Sequence, residues 1–202
     1  MAPTVRSLEI ELASELLRFF FPLLQSGVET EVRVGCTIKQ LLTEQFGIAA
    51  DYLASRITTV FLNHKAVDKV ETAVVRDGAV LALSGAMPGL VGATMRTGGY
   101  YSAMRGSMTY TDQGQIPKEH LGRIQLKLFN LLLEELGPRV LLRGILFSGN
   151  RLKEFIALLP EEFRWRGCQL DGRPVTVELL QKEPKLFCEE TLVKLKVYLG
   201  AT

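Results

Sequence analysis

The chain has 202 residues, of which 47% are hydrophobic and 23% charged, so it is long enough for one large or two small globular domains. Its formal net charge is +2 and neither half is strongly basic, so the charge does not indicate nucleic-acid binding. The longest apolar run, FFFPLL at 19–24, is far shorter than the ~20 residues that cross a bilayer, so we expect no membrane association and a reducing cytoplasm.

The first 90 residues predict four strands and one helix in the order β-β-α-β-β. Thr37 can cap a helix over IKQLLTEQF, and Gly47 can end it in the left-handed conformation. Asn63-His64 and Asp77-Gly78 predict tight turns. We expect the first two strands to form a loose hairpin and the helix to pack across a mixed, curled sheet. The strands are SLEIEL (7–12), TEVRVG (30–35), TVFLNHKAV (59–67) and VLAL (80–83).

The last of these strands leads into SGAMPGLVGATMRTGGYYSAMRG (84–106), which is rich in glycine and contains no acidic residue. Glycine adds no packing and costs the most backbone entropy to order, so this stretch is poor material for a core. Three of the five methionines lie in it, and unbranched thioethers repack readily around different partners. The stretch therefore predicts a segment that contacts a partner protein or the second half of the chain.

The second half predicts a separate α+β unit of order α-β-α-β-β-β. Its clearest feature is a helix over 117–136, with Pro117 in the first turn, leucines at helical spacing and Gly137-Pro138 as the stop. The other predicted elements are a strand (139–147), a helix capped by Ser148 (150–159), a hairpin (163–170 and 175–180) and a final strand (192–199). The expected domains are thus 1–90 and 116–202, joined by a connecting segment over 91–115.

Residues 30–90 resemble the ubiquitin-like β-grasp sulfur carriers, which include the small subunit of molybdopterin synthase and the sulfur carrier of thiamine biosynthesis. The resemblance is carried by TIKQLL (37–42), VFLNHKAVD (60–68) and VVRDGAVLALSGAMPGL (74–90). It implies a β-grasp fold for residues 1–90. It also implies a protein partner, such as an adenylating or a sulfur-transfer enzyme.

The chain departs from that family at its diglycine. The family ends in a free Gly-Gly whose carboxylate is adenylated and converted to a thiocarboxylate, whereas here Gly89-Leu90 stands at the corresponding position and the chain continues. A true diglycine, Gly98-Gly99, follows nine residues later and is itself internal. A free carboxylate therefore requires cleavage.

Three hypotheses follow. In the first, the protein is a β-grasp binding module without carrier chemistry. In the second, it is a precursor that is cleaved after Gly99 to give an active sulfur carrier. In the third, it is an enzyme or a ligand-binding protein that holds a small ligand or anion in a cleft between its halves, with Arg96, Arg105 and Arg151 as anion ligands. The predicted partner-binding residues are Met87, Gly89, Leu90, Met95, Arg96, Gly98, Gly99, Tyr100, Tyr101 and Arg105.

Catalytic motifs are not found. The two histidines, His64 and His120, do not form a metal-binding spacing, and no GxSxG elbow or GxxxxGK[ST] loop is present. Three scattered cysteines, one of them Cys188, form no CxxC pair. We therefore name no catalytic residue, metal or cofactor.

The strand-to-helix junction Ser148-Gly149-Asn150-Arg151 is the candidate anion-binding loop, with a plain helix cap as the alternative.

Overall fold

The chain is a mixed α/β protein that divides into two compact units. The middle unit is continuous in sequence, Leu23–Leu136, and the terminal unit combines Met1–Pro22 with Gly137–Thr202. This division differs from the predicted boundaries at residues 90 and 116, because the strand Val5–Ala13 pairs with the strand Leu192–Gly200. The computed structural model describes residues 5–111, 114–115, 117–160, 163–176, 179–180 and 190–200.

The middle unit contains five neighbouring strands, in the spatial order β4-β3-β5-β6-β2. Its strands are β2 (Val28–Val34), β3 (Thr59–Leu62), β4 (Lys65–Ala66), β5 (Val80–Ser84) and β6 (His120–Phe129). β5 and β6 run parallel, and each of the other neighbouring pairs is antiparallel. The helices between β2 and β3 are α2 (Ile38–Gln40), which continues as a π turn (Leu41–Gln45), and α3 (Ala50–Arg56).

Local sequence signals in this unit are confirmed. The Thr37 hydroxyl accepts a hydrogen bond from the Gln40 backbone N–H, and the Gln40 side chain accepts one from the Thr37 N–H, which is a capping box. Gly47 has φ +64°, as expected for a residue that ends a helix in the left-handed conformation. Asn63 and His64 both have positive φ and join β3 to β4 through a two-residue turn.

The predicted helix over 117–136 is wrong. Residues His120–Phe129 form β6, and the helix that follows, α5, is Leu132–Arg143, with Pro138 inside it. Ile124, Leu126 and Leu128 are buried, whereas the residues between them are partly exposed, so the spacing of two is the one that the fold uses. Leu121 and Leu131 made the pattern look helical, but both are more than half exposed.

The terminal unit contains the other five strands, in the order β7-β10-β1-β8-β9. Its strands are β1 (Val5–Ala13), β7 (Ile145–Ser148), β8 (Gly167–Leu170), β9 (Arg173–Pro174) and β10 (Leu192–Gly200). β1 and β10 are parallel and the other pairs antiparallel. Its helix α6 (Gly149–Ala157) contributes Phe155, whose ring lies 5.1 Å from that of Phe20 and 6.1 Å from that of Phe147, centroid to centroid.

The predicted hairpin between the first two strands does not form. Both edges of β1 are occupied, one by β10 and the other by β8, and β2 pairs instead with β6. A 3₁₀ helix (Ser14–Phe20) and α1 (Phe21–Ser26) connect β1 to β2. The hairpin at Asp171-Gly172 is confirmed, but its second strand is β9 rather than 175–180, of which residues 177–178 lie outside the described part of the chain.

Candidate functional site

The glycine- and methionine-rich stretch is the feature of the middle unit that the sequence singles out, and we refer to residues 85–108 as the Gly/Met segment. It leaves β5 at Ser84 and contains α4 (Gly89–Met95) and a 3₁₀ segment (Tyr100–Met108). Gly92 of α4 packs against the stretch of chain that leads into this helix. A Cβ at position 92 would lie 1.9 Å from the carbonyl oxygen of Met87, so the position requires glycine.

Arg105 anchors the segment. Its side chain has no exposed area, and its Nη2 lies 2.6 Å from Oδ1 of Asp68, which follows β4. The same Nη2 donates to the carbonyl of Arg96, and Oδ1 of Asp68 also accepts from the backbone N–H of Gly98. One carboxylate therefore holds both the 3₁₀ segment and the bend that precedes it.

Hydrogen bonds hold the segment at its start, in its middle and just beyond its end. The Thr58 hydroxyl donates to the carbonyl of Gly85, and the backbone N–H of Thr97 donates to the carbonyl of Thr58. Just beyond the segment, the N–H of Tyr110 donates to the carbonyl of Ala66. The segment is thus a defined structure packed on the middle unit, and not a free tail.

Large apolar side chains of the segment are exposed to solvent. Tyr100 is 92% exposed and Met104 69%, and four further residues are more than a third exposed. Such side chains close together in one short stretch are typical of a binding surface, since single exposed apolar residues are normal but contiguous ones are not. The exposed set is Leu90, Val91, Tyr100, Tyr101, Met104 and Met108.

All the predicted partner-binding residues except Arg105 are at least partly exposed in the structure. Leu90, Tyr100 and Tyr101 are exposed, and Met87 and Met95 are partly exposed. Arg105 is buried against Asp68 and is therefore an anchor, not a surface contact. The other predicted residues are exposed or partly exposed: Gly89, Arg96, Gly98 and Gly99.

Sequence reasoning missed Asp68 and Val91. Asp68 is one of many acidic residues, and its only signal was its position directly after the strand and turn of VFLNHKAV. Val91 lies in α4, where its 63% exposure depends on which side of a seven-residue helix faces the sheet. Neither fact can be read from composition or spacing.

The candidate anion-binding loop of the terminal unit is a helix cap. The N–H of Gly149 donates to the carbonyl of Thr191, and the N–H of Arg151 donates to the Ser148 hydroxyl. These two amides are already paired within the protein, so they are not free to hold an anion. The predicted anion ligands Arg96 and Arg105 belong to the middle unit, whereas Arg151 belongs to the terminal unit.

Three ionisable groups of the middle unit form a local network. The carboxylate of Glu135 accepts hydrogen bonds from the Arg56 guanidinium and the Tyr52 hydroxyl. These bonds, that from Arg56 foremost, hold the pKa of Glu135 below its usual value. Burial, and then the hydrogen bond to Glu135, raise the pKa of Tyr52 to about 12. The network fastens α3 to α5 and does not adjoin the Gly/Met segment in sequence.

Within the described residues, no group of three or more His, Cys, Asp and Glu side chains could hold a metal ion. In the same part of the chain, no helix is long and apolar enough to cross a membrane. Comparison of the sequence and the fold with protein-family models, with curated proteins and with solved structures finds no match.

Proposed function

We propose that the middle unit is a β-grasp module of the sulfur-carrier type that acts by binding a protein partner through the Gly/Met segment. The exposed apolar side chains of that segment are the observation that carries the proposal. In this proposal the module has no free-carboxylate chemistry, since Gly98-Gly99 is held inside the chain.

Support for the β-grasp assignment comes from the order and pairing of the strands. The residue runs that resemble the sulfur carriers fall on α2, on the β3–β4 hairpin and on β5. β6 is antiparallel to β2 and parallel to β5. If the chain began with β6 and ran directly into β2, its order would be β6, β2, α2, β3, β4 and β5, which is the predicted order of strand, strand, helix and strands. In this proposal β6 takes the place of the first strand that we predicted at SLEIEL, so the middle unit is a circularly permuted β-grasp.

The chemistry of the exposed side chains supports an adaptable protein contact. Tyr100 and Tyr101 pack edge to face with their ring centroids 5.2 Å apart, and tyrosine gives large contact area with only two side-chain torsions to order. Met104 and Met108 are flexible thioethers that fit irregular partner surfaces. An enzyme that adenylates or transfers sulfur is the partner class that the family resemblance implies.

The test is quantitative capture from lysate of the native cells, followed by measurement of the affinity for the protein that is captured. Tyr100→Ser combined with Met104→Ser removes two of the most exposed apolar side chains of the segment. Leu121→Ser combined with Leu158→Ser is the matched control, because these leucines are 71% and 83% exposed elsewhere. We expect a loss of at least about tenfold in affinity for the segment variant and no change for the control. Equal binding by both variants would refute the proposal.

Cleavage after Gly99 is the second candidate, favoured by the exposure of the bond that follows it. Gly98 has φ +61° and Tyr100 is 92% exposed, so a protease can reach this bend. Intact mass of the protein from native cells tests this alternative. A fragment that ends at Gly99, with a mass increase of sulfur in place of oxygen, would establish a carrier, and the mass of the uncut chain would exclude it.

A further inference from the structure

The outward face of the middle-unit sheet carries a groove of about 530 Å³. This volume lies within the ~300–1,000 Å³ range of small-molecule sites. The Gly/Met segment contributes Met87 and Pro88 to the lining of the groove, but none of the large exposed side chains of that segment lines it. The sheet contributes Phe61, Ala82, Ser84, Lys127 and Phe129 to the lining, and the β3–β4 turn contributes His64.

Strand register explains the depth of the groove. Phe61 of β3 pairs with Ala82 of β5, and Ala82 pairs with Lys127 of β6, so these three residues form one row across the sheet. Ala82, the small residue at the centre of the row, leaves a depression between its larger neighbours. In the next row Ser84 lies opposite Phe129. The floor of the groove is therefore apolar, and the ammonium group of Lys127 belongs to the residue beside Ala82 at its centre.

His64 lines the groove from a backbone position that favours glycine. It is the second residue of the turn between β3 and β4 and has φ +66°. The left-handed conformation is unfavourable for a residue with a Cβ, and glycine is the usual occupant of this turn position. A non-glycine residue held there suggests a role for its side chain.

The polar groups of the groove are basic and neutral. The side chains of Lys127 and His64 make no hydrogen bond or ion pair within the described residues, and none of the lining residues is acidic. The amide of Asn130 already donates to the Ser84 hydroxyl. Arginine, which binds phosphate through a planar pair of donors, is also absent from the lining. One ammonium and one imidazole beside an apolar floor match a carboxylate better than a phosphate.

We propose that this groove binds an amphipathic monocarboxylate, with its apolar chain on Phe61, Ala82 and Phe129 and its carboxylate on Lys127 and His64. Burial of the chain supplies most of the affinity, and the charged hydrogen bonds select the acid over an uncharged analogue. The site does not depend on the proposed protein-binding role of the Gly/Met segment.

Isothermal titration calorimetry of the full chain with octanoate and octan-1-ol tests the site. We expect octanoate to bind one per chain and to bind at least about tenfold more tightly than the alcohol. Lys127→Met should remove that preference by weakening octanoate about tenfold while leaving octanol unchanged. Lys118→Met, an exposed lysine just before the same strand, is the matched control and should bind as the wild type does.

Ala82→Phe fills the floor and should abolish binding of both probes, whereas Ala54→Phe on the exposed side of α3 should not. Thermal melting of each variant verifies that it folds, and Ala82→Leu replaces Ala82→Phe if the latter does not. Absence of octanoate binding, or equal binding by wild type and the filled variant, would overturn the proposal. So would a dimer that the filled variant breaks, because a second copy would then be the occupant of the groove.

Discussion

The guanidinium of Arg105 lies fully buried against the carboxylate of Asp68, with Nη2 and Oδ1 2.6 Å apart, although 37 residues separate them in sequence. Within the described residues the remaining donors, Nε and Nη1, have no hydrogen-bond partner. A buried charge is costly unless it is paired, so Asp68 is the group that makes this arrangement tolerable. The two residues together fix the surface that we propose for partner binding.

The two partners should therefore respond unequally to mutation. Asp68→Asn leaves a buried unpaired cation and should lower the free energy of unfolding by about 3 kcal/mol. Arg105→Met retains an apolar side chain of similar length and leaves Asp68 28% exposed to water, so its cost should be clearly smaller. Urea denaturation measures both, with Asp51→Asn on exposed α3 as the control. Equal losses for the two variants would contradict this account.

Replacement of Glu135 should give a stability difference that depends on pH. The pKa of Glu135 is lowered in the folded state, mainly by the hydrogen bond from Arg56, so the ionised form favours folding. Its contribution is present above the ordinary pKa of 4.5 and is lost as the pH falls through the folded-state value. Glu135→Gln should thus lower the urea midpoint at pH 7, and its difference from the wild type should shrink as the pH falls below 4.5. Glu134→Gln, which is exposed, should show no such trend.

The buried thiols should be inert in the folded protein. Burial raises the pKa of Cys168 to about 11 and also raises that of Cys36. About one Cys168 thiol in a thousand would be ionised at pH 8. In a Cys188→Ser variant, which removes the cysteine outside the described residues, Ellman's reagent should react with neither thiol until the protein is unfolded. Rapid reaction of a whole equivalent under native conditions would contradict this prediction.

The position of β6 predicts which fragments fold. It lies between β5 and β2, so a fragment of residues 1–99 lacks a central strand and should be unfolded by far-UV circular dichroism. Residues 23–136 contain all five strands of the middle unit and should unfold cooperatively. A chain cut at an engineered protease site after Gly99 should accordingly elute from a sizing column as one species. Separation of the two pieces with each still folded would exclude this topology.

Local elements were predictable because their signals lie within a few residues. The Thr37 cap, the Asn63-His64 turn and the start of β5 were read correctly, since each depends on the side chain or φ preference of one or two neighbours. Strand pairing was not predictable, because β1 pairs with β10, 187 residues further along the chain (Val5 with Leu192), and no pattern in SLEIEL indicates that partner. The leucines of 117–136 fitted both a spacing of two and one of 3.6.

The location of the candidate site in the sequence was predictable, but which of its side chains are buried and which are exposed was not. Absence of acidic residues and abundance of glycine and methionine identified the Gly/Met segment. The same composition suggested a loose tail with two available arginines, whereas Arg105 is an anchor. Which of two arginines becomes buried depends on where Asp68 lies in space, and that is set by the β3–β4 hairpin.

The parallel pairing of β1 with β10 has a consequence for biosynthesis. The ribosome makes Val5–Ala13 well before Leu192–Gly200, so at about 5–20 residues per second β1 lacks this partner for roughly 10–35 s. The middle unit can fold during that interval, whereas β1 carries Leu8, Ile10 and Leu12 with both edges open. Glu9 and Glu11 alternate with these apolar residues and repel like copies on neighbouring ribosomes. We therefore expect nascent chains to need these charges, or a chaperone, until β10 has been made.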